Sequence, residues 1–197
     1  MRTSLLCAIL MSVCISTQSC NASYAKEEKG VKANVPEERL EISFKFQRGG
    51  IASSQYAIWI EDEAGRLVRT LYATSFTAKG GYEYRKEALP VWVGKAKPQA
   101  MSSIQVDAIT GATPQNGLLT YQWDGTDHQG NHVPAGKYTF FVEGSLYWES
   151  RVIYSGELDW GGREQDSIPV KARHFHPSSN NQEMITGLKA SHIKVSQ

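Results

Sequence analysis

The sequence predicts an all-β protein, a β-sandwich of about eight strands, mostly antiparallel. Three observations carry that expectation. Leu40, Ile42, Phe44 and Phe46 alternate with Glu41, Ser43, Lys45 and Gln47, which is the period of a half-buried strand. Further apolar and aromatic runs follow at intervals, separated by Gly, Pro and Asn turns. A domain of this size can bury about 68% of its unfolded surface, enough for a core without disulfides or a structural metal.

The chain opens on Arg2, the apolar run Leu5 to Ile15, and Ser23-Tyr24-Ala25, with small residues where a signal peptidase reads. Residues 1–25 are therefore expected to be a signal peptide cleaved after Ala25, and the protein to be periplasmic. All three cysteines, Cys7, Cys14 and Cys20, fall in that segment, so the mature chain would hold no disulfide. A lipid anchor through Cys20 is the alternative; Thr17 and Gln18 make a poor lipobox. Residues 26–39 are charged, contain Gly30 and Pro36 and show no apolar period, the pattern of a flexible linker. A single folded domain is expected over 40–197.

Tyr56 to Glu61 and Leu67 to Tyr72 form a hairpin around Asp62-Glu63-Ala64-Gly65. Lys86 to Ala96 shows neither period and fits a short helix or an ordered loop. Later strands are expected at Ile104 to Ala108, Leu118 to Trp123, Tyr138 to Glu143, Arg151 to Leu158 and Met184 to Val195.

Charge excludes two classes of partner. With 21 basic and 20 acidic residues, scattered along the chain, there is no field to gather nucleic acid or an anionic membrane. Past the first segment no apolar run approaches the roughly 20 residues of a transmembrane helix, so no span is expected in the mature chain.

Trp123-Asp124-Gly125-Thr126-Asp127-His128-Gln129-Gly130-Asn131-His132-Val133-Pro134-Ala135-Gly136-Lys137-Tyr138 reads as a tight polar turn between two strands. Its aspartates can accept backbone N–H groups, and Gly125, Gly130 and Gly136 supply unusual backbone conformations. The segment resembles the signature of the immunoglobulin-like module found in flagellar hook-cap proteins and many exported bacterial proteins. That resemblance implies an immunoglobulin-like sandwich and says little about function.

A second motif, Asp107-Ala108-Ile109-Thr110-Gly111-Ala112-Thr113, resembles the Asp-x-x-Thr/Ser-Gly-Ala-Thr sequence of covalently flavinylated subunits in sodium-pumping NADH:quinone reductases and Rnf complexes. In those proteins an exported flavin transferase moves FMN from FAD onto the last threonine as a phosphoester. The resemblance implies FMN on Thr113, with Asp107, Thr110, Gly111 and Ala112 as the surrounding cofactor-site residues. The residue types suit the chemistry: Gly111 and Ala112 leave room for another enzyme, and Asp107 could orient the loop or help remove the hydroxyl proton. The plain structural reading is a strand ending in a Gly turn, with Thr113 capping it before Pro114.

Both motifs, with the upstream stretch Trp59 to Leu71, are similar to one family of predicted periplasmic proteins of unknown function. Its context implies neighbouring flavin transferases and membrane redox proteins, including in iron uptake. The expectation is a periplasmic electron carrier with covalent FMN. The alternative is a non-catalytic immunoglobulin-like binding or assembly module.

Other residues attract attention and are set aside. His174 and His176 could start a metal site but lack a third ligand of diagnostic spacing, so they are expected on a surface loop. Most tryptophans are expected in the core; Tyr121 and Trp123, nearest Thr113 across the Asn116-Gly117 turn, are the aromatics expected to touch a tethered flavin. Glu61 and Asp62 adjoin, but neighbouring strand residues face opposite ways. No catalytic triad, P-loop or dinucleotide fingerprint occurs with its context, so no catalytic residue and no metal ligand is assigned.

Overall fold

Alternation in the first strand fixes where the sandwich closes: Leu40, Ile42, Phe44 and Phe46 are all fully buried, while the residues between them are half-buried or exposed. The computed structural model describes residues 38–49, 54–111 and 114–194. The expected signal peptide, the three cysteines and residues 26–37 of the expected linker lie outside the described residues. The chain divides into two compact units, Met1–Asn34 and Val35–Gln197, and every described residue belongs to the second.

Nine strands are formed among the described residues: β1 (Glu38–Phe46), β2 (Gln55–Asp62), β3 (Leu67–Thr74), β4 (Thr110–Gly111), β5 (Gly117–Trp123), β6 (Gly136–Tyr147), β7 (Ser150–Trp160), β8 (Lys171–Phe175) and β9 (Ile185–Lys194). They make a three-stranded sheet ordered β5-β1-β9 and a six-stranded sheet ordered β4-β3-β2-β6-β7-β8. Every pairing is antiparallel except that of β3 with the short β4. The all-β sandwich is therefore as expected. Glu38 and Arg39, at the end of the expected linker, already pair with Lys194 and Ile193 in the sheet.

Between the sheets the β1 residues pack against Tyr56, Ile58 and Ile60 of β2 and Phe140 and Val142 of β6. Each such side chain, taken fully out of water, contributes about 1.5–3 kcal/mol. The other face of β2 is buried as well, because Ala57 and Trp59 pack under a helical insertion between β3 and β4. That insertion holds a single turn, α1 (Tyr82–Tyr84), then α2 (Pro90–Ala96) and α3 (Ser103–Ile109). It forms a second small core in which Leu89 and Trp92 are fully buried.

The start of α2 is capped from another part of the chain. Leu89, at its N-cap, offers no side-chain acceptor. Instead the fully buried Glu143 of β6 accepts the backbone N–H groups of Val91 at 3.2 Å and Trp92 at 2.8 Å. This meets the need for acceptors at a helix start. Burial pushes the Glu143 carboxyl above the usual range, although these N–H groups and Arg151 pull the other way.

The expected strand Ile104 to Ala108 is instead most of α3. Over five residues, Ile-Gln-Val-Asp-Ala satisfies an alternating pattern, yet only Val106 is buried and Ile104 is exposed. Ser102 decides the outcome, since its side chain accepts from Gln105 N–H while the Gln105 side chain accepts from Ser102 N–H. The uncertain stretch Lys86 to Ala96 ends in α2. His174 lies on strand β8 rather than a loop, and His176 follows it with a φ of 44°, leaving the strand.

Candidate functional site

The residues of the second motif are carried by two short elements at one edge of the larger sheet. Asp107 lies on α3 with its carboxylate exposed and paired with Lys79 at 2.8 Å. Thr110 and Gly111 form β4, which pairs in parallel with Ala73 and Thr74 and is the terminal strand of its sheet. Ala112 and Thr113 lie outside the described residues. The described residues continue from Pro114, and β5, in the other sheet, begins at Gly117. The strand of the expected strand-to-turn reading is thus the two-residue β4, preceded by helix α3, and the expected turn with Thr113 as its cap lies outside the described residues.

Gly111 has a packing reason to be glycine. A Cβ there would stand 2.9 Å from the Tyr72 ring, too close for any other side chain without movement. The Tyr72 hydroxyl reaches the Gly111 carbonyl at a long 3.4 Å. Tyr72 in turn belongs to a group of three tyrosines, stacked on Tyr56 at 4.8 Å and tilted against Tyr121 at 5.4 Å between centroids. The Tyr56 and Tyr121 hydroxyls share a 2.6 Å hydrogen bond. Burial raises the pKa of all three, with Tyr72 pushed up to about 12. They remain neutral at physiological pH.

On its other side α3 borders a cleft of about 740 Å³, within the size range of small-molecule sites. Leu67 and Leu71 of β3, Met101, Ala108 and Ile109 give it an apolar wall. Arg39, Arg69, Lys95, Lys97 and His128 bring positive charge or donors to its lining. Some of this charge is already engaged. Lys95 binds Glu61 at 2.9 Å and the Gly65 carbonyl at 2.6 Å, and Arg69 binds the Thr126 hydroxyl and the Asp127 carbonyl. Arg39 differs: its Nε and Nη1 are buried without a hydrogen-bond partner, and the nearest carboxylate, Glu41, stands 4.0 Å from Nε.

Asp124 also lines the cleft, but its carboxylate is committed to the turn that follows β5. Burial would raise it, yet the Thr126 hydroxyl and N–H and the charge of Arg69 together hold it below the usual carboxylate range. Asp127 accepts Gln129 and Asn131 N–H at 2.8 and 2.9 Å. Both aspartates therefore serve the turn, as their spacing suggested. Trp123 donates to the Thr126 carbonyl and packs on Trp160 at 4.6 Å.

Of the aromatics expected to meet a flavin, Tyr121 is bonded to Tyr56 within the sandwich and Trp123 is almost fully buried while bordering the cleft. Trp59, Trp92 and Trp160 are core residues, but Trp148 is exposed. Reading the sequence alone missed Tyr72 and Arg39. No local pattern marks either one, because their importance comes from partners far along the chain. The helix that carries Asp107 was detectable, since Ser102 and Gln105 stand at the spacing of a capping box.

A family model described as "Predicted periplasmic protein (DUF2271)" matches residues 37–176. No curated protein matches the chain. Among solved structures the chain is similar to truncated FlgD from Helicobacter pylori (strain 26695), at 17% identity over 77% of this chain and 81% of that one, with a TM-score of 0.31. Among the described residues no helix is long and apolar enough to cross a membrane.

Proposed function

Because the chain belongs to the family of predicted periplasmic proteins whose model spans residues 37–176, we propose that it is a periplasmic electron carrier with FMN held on Thr113 as a phosphoester. The observation that carries this reading is the setting of the motif. Asp107, Thr110 and Gly111 are fixed by α3 and by a terminal edge strand, with a ligand-sized cleft bordered by the same helix. Among the described residues no strand lies beyond β4 in its sheet, which suits that edge to the approach of a second enzyme.

The residues present suit a flavin. An apolar wall with basic residues beside it matches a flat aromatic ring that gains negative charge on reduction. Gly111 adds no side chain beside the acceptor residue, while Lys79 pairs with the exposed Asp107 carboxylate at 2.8 Å. In the modification, the Thr113 hydroxyl oxygen bonds to the FMN phosphorus of FAD, the pyrophosphate bond breaks, and AMP leaves as the hydroxyl proton is taken up by a base. Asp107 is the residue of the motif suited to orient that loop or to receive the proton. An exported flavin transferase supplies the reaction, and a membrane redox protein is the electron donor. Once attached, FMN supplies the redox chemistry, and the protein's part is to place it and set its electrostatic surroundings.

A second reading, a non-catalytic binding or assembly module, draws on the large apolar side chains at the surface, with Tyr84 91%, Ile104 80% and Leu118 75% exposed. Intact mass of the protein after co-expression with an exported flavin transferase separates the two. Addition of one FMN ester that disappears in Thr113→Val is expected; an unmodified mass, under conditions that flavinylate a known substrate, transfers the assignment to the binding module.

A further inference from the structure

The cleft beside α3 carries an inference of its own, argued from described residues and independent of whether Thr113 is modified. Three properties of the cleft define its ligand. At about 740 Å³ it accommodates a multi-ring organic molecule rather than a single ion. Leu71, Met101 and Ile109 give a non-polar surface against which a flat ring can lie. Arg39 adds a fixed positive charge whose Nε and Nη1 are buried without acceptors.

Charge balance explains why Arg39 is the group that selects the ligand. Two other cations of the lining have hydrogen-bond acceptors, Lys95 in Glu61 and Gly65 and Arg69 in Thr126 and Asp127, whereas Arg39 has only the Glu41 carboxylate at 4.0 Å. The one carboxylate in the lining, Asp124, is held by Thr126. An incoming anion would therefore meet a guanidinium whose Nε and Nη1 have no hydrogen-bond acceptor and whose ion-pair partner, Glu41, stands 4.0 Å from Nε and outside the lining, and planar guanidinium groups favour carboxylate, phosphate or imide anions. Lys97, exposed on the rim, adds charge at the entrance.

We infer that this cleft binds a planar aromatic anion, with Arg39 as the anion-contacting residue and the Leu71, Met101 and Ile109 surface as the seat for the ring. A flavin tethered nearby and a free aromatic anion share this chemistry.

The test uses Thr113→Val protein, which cannot carry the ester, and free FMN as the probe, followed by calorimetry and quenching of flavin fluorescence. FMN is expected to bind saturably at one per chain. Riboflavin, which has the ring without the phosphate charge, and inorganic phosphate, which has charge without a ring, are expected to bind at least about ten-fold more weakly. Arg39→Met should weaken FMN by about ten-fold and leave riboflavin unchanged, with thermal unfolding reporting that the fold is intact. Lys97→Glu changes an exposed side chain and should weaken FMN about three-fold without touching the core. Absence of saturable FMN binding, or binding unchanged in both variants, overturns the inference. Repeating the titration on flavinylated wild-type protein identifies the source: loss of free-FMN binding makes the tethered ring the occupant, while retained binding makes it a separate molecule, and either result upholds the ligand class. Failure of flavinylation would appear in the mass and leave the first titration unaffected.

Discussion

The hydroxyls of Tyr56 and Tyr121 stand 2.6 Å apart and join the two sheets, Tyr56 on β2 and Tyr121 on β5. Their rings lie among Phe44, Phe46 and Tyr72, so the pair places a polar contact inside an aromatic layer. Tyr121→Phe keeps the ring and removes one member of the bond. The expected loss is about 1 kcal/mol, read as a lower urea midpoint at unchanged slope. An unchanged midpoint would show that the bond adds nothing net.

The same tyrosines set an alkaline limit. Burial raises Tyr56, Tyr72, Tyr121, Tyr138 and Tyr154, and Tyr72 reaches about 12. In the unfolded chain each ionises near pH 10. Unfolding therefore releases protons above that pH, and the stability present below pH 10 is lost as pH rises through the folded values. Urea midpoints measured from pH 8 to 12 should be flat to about pH 9.5 and then fall, less steeply in Tyr72→Phe. A flat profile to pH 12 would contradict the burial assigned to this cluster.

Gly125 has a φ of 73°, and a Cβ added there would lie 2.1 Å from Cζ2 of Trp160. Gly125→Ala must both strain the backbone and displace a ring packed on Trp123. We expect a loss of about 3 kcal/mol. Gly130, with a φ of 86° and nothing within 4 Å, isolates the first effect. Gly130→Ala should lose only about 1 kcal/mol, and equal losses for the two would refute the clash.

Glu143 ties the helical insertion to the sheet, accepting Val91 and Trp92 N–H and pairing with Arg151 at 3.3 Å. Glu143→Ala leaves a helix start uncapped and a partly buried guanidinium without its carboxylate. The expected destabilisation is about 3 kcal/mol. Hydrogen exchange should quicken first in α2, where a uniform change across the sandwich would argue against a capping role.

Asp107 and Lys79 form an exposed pair, with side chains 64% and 53% accessible. Such pairs contribute little to stability. Asp107→Ala is expected to leave thermal unfolding within about 2 °C of wild type while lowering the yield of FMN ester seen by mass. An undiminished yield would remove Asp107 from the modification reaction.

Sequence periodicity was sufficient for the sandwich wherever a strand has one face in the core. In β1 the side chains alternate between the core and the outside, so two-residue alternation marks the strand without any knowledge of its partners. The Trp-Asp-Gly turn was equally legible, because its hydrogen bonds run between residues two to four positions apart. Strand β2 shows where that logic weakens: both faces are buried, one under β1 and one under Trp92, and alternation is lost.

By itself, then, the sequence determined the local features: alternating strands, a polar glycine turn, and a motif whose residue types suit covalent attachment. Tertiary structure alone decided which face of the helix over Ile104 to Ala108 is covered, with Val106 buried and Ile104 exposed, whereas the Ser102 and Gln105 capping box that starts this helix is local. It also decided that Glu143 caps a helix 51 residues away in sequence and that Tyr72 requires Gly111. The cleft is likewise a tertiary product, assembled from β1, β3, β5 and the insertion. The physical reason is range. Backbone geometry and turn chemistry act over a few residues, whereas burial, charge pairing and cavity shape depend on which distant segments the folded chain brings together.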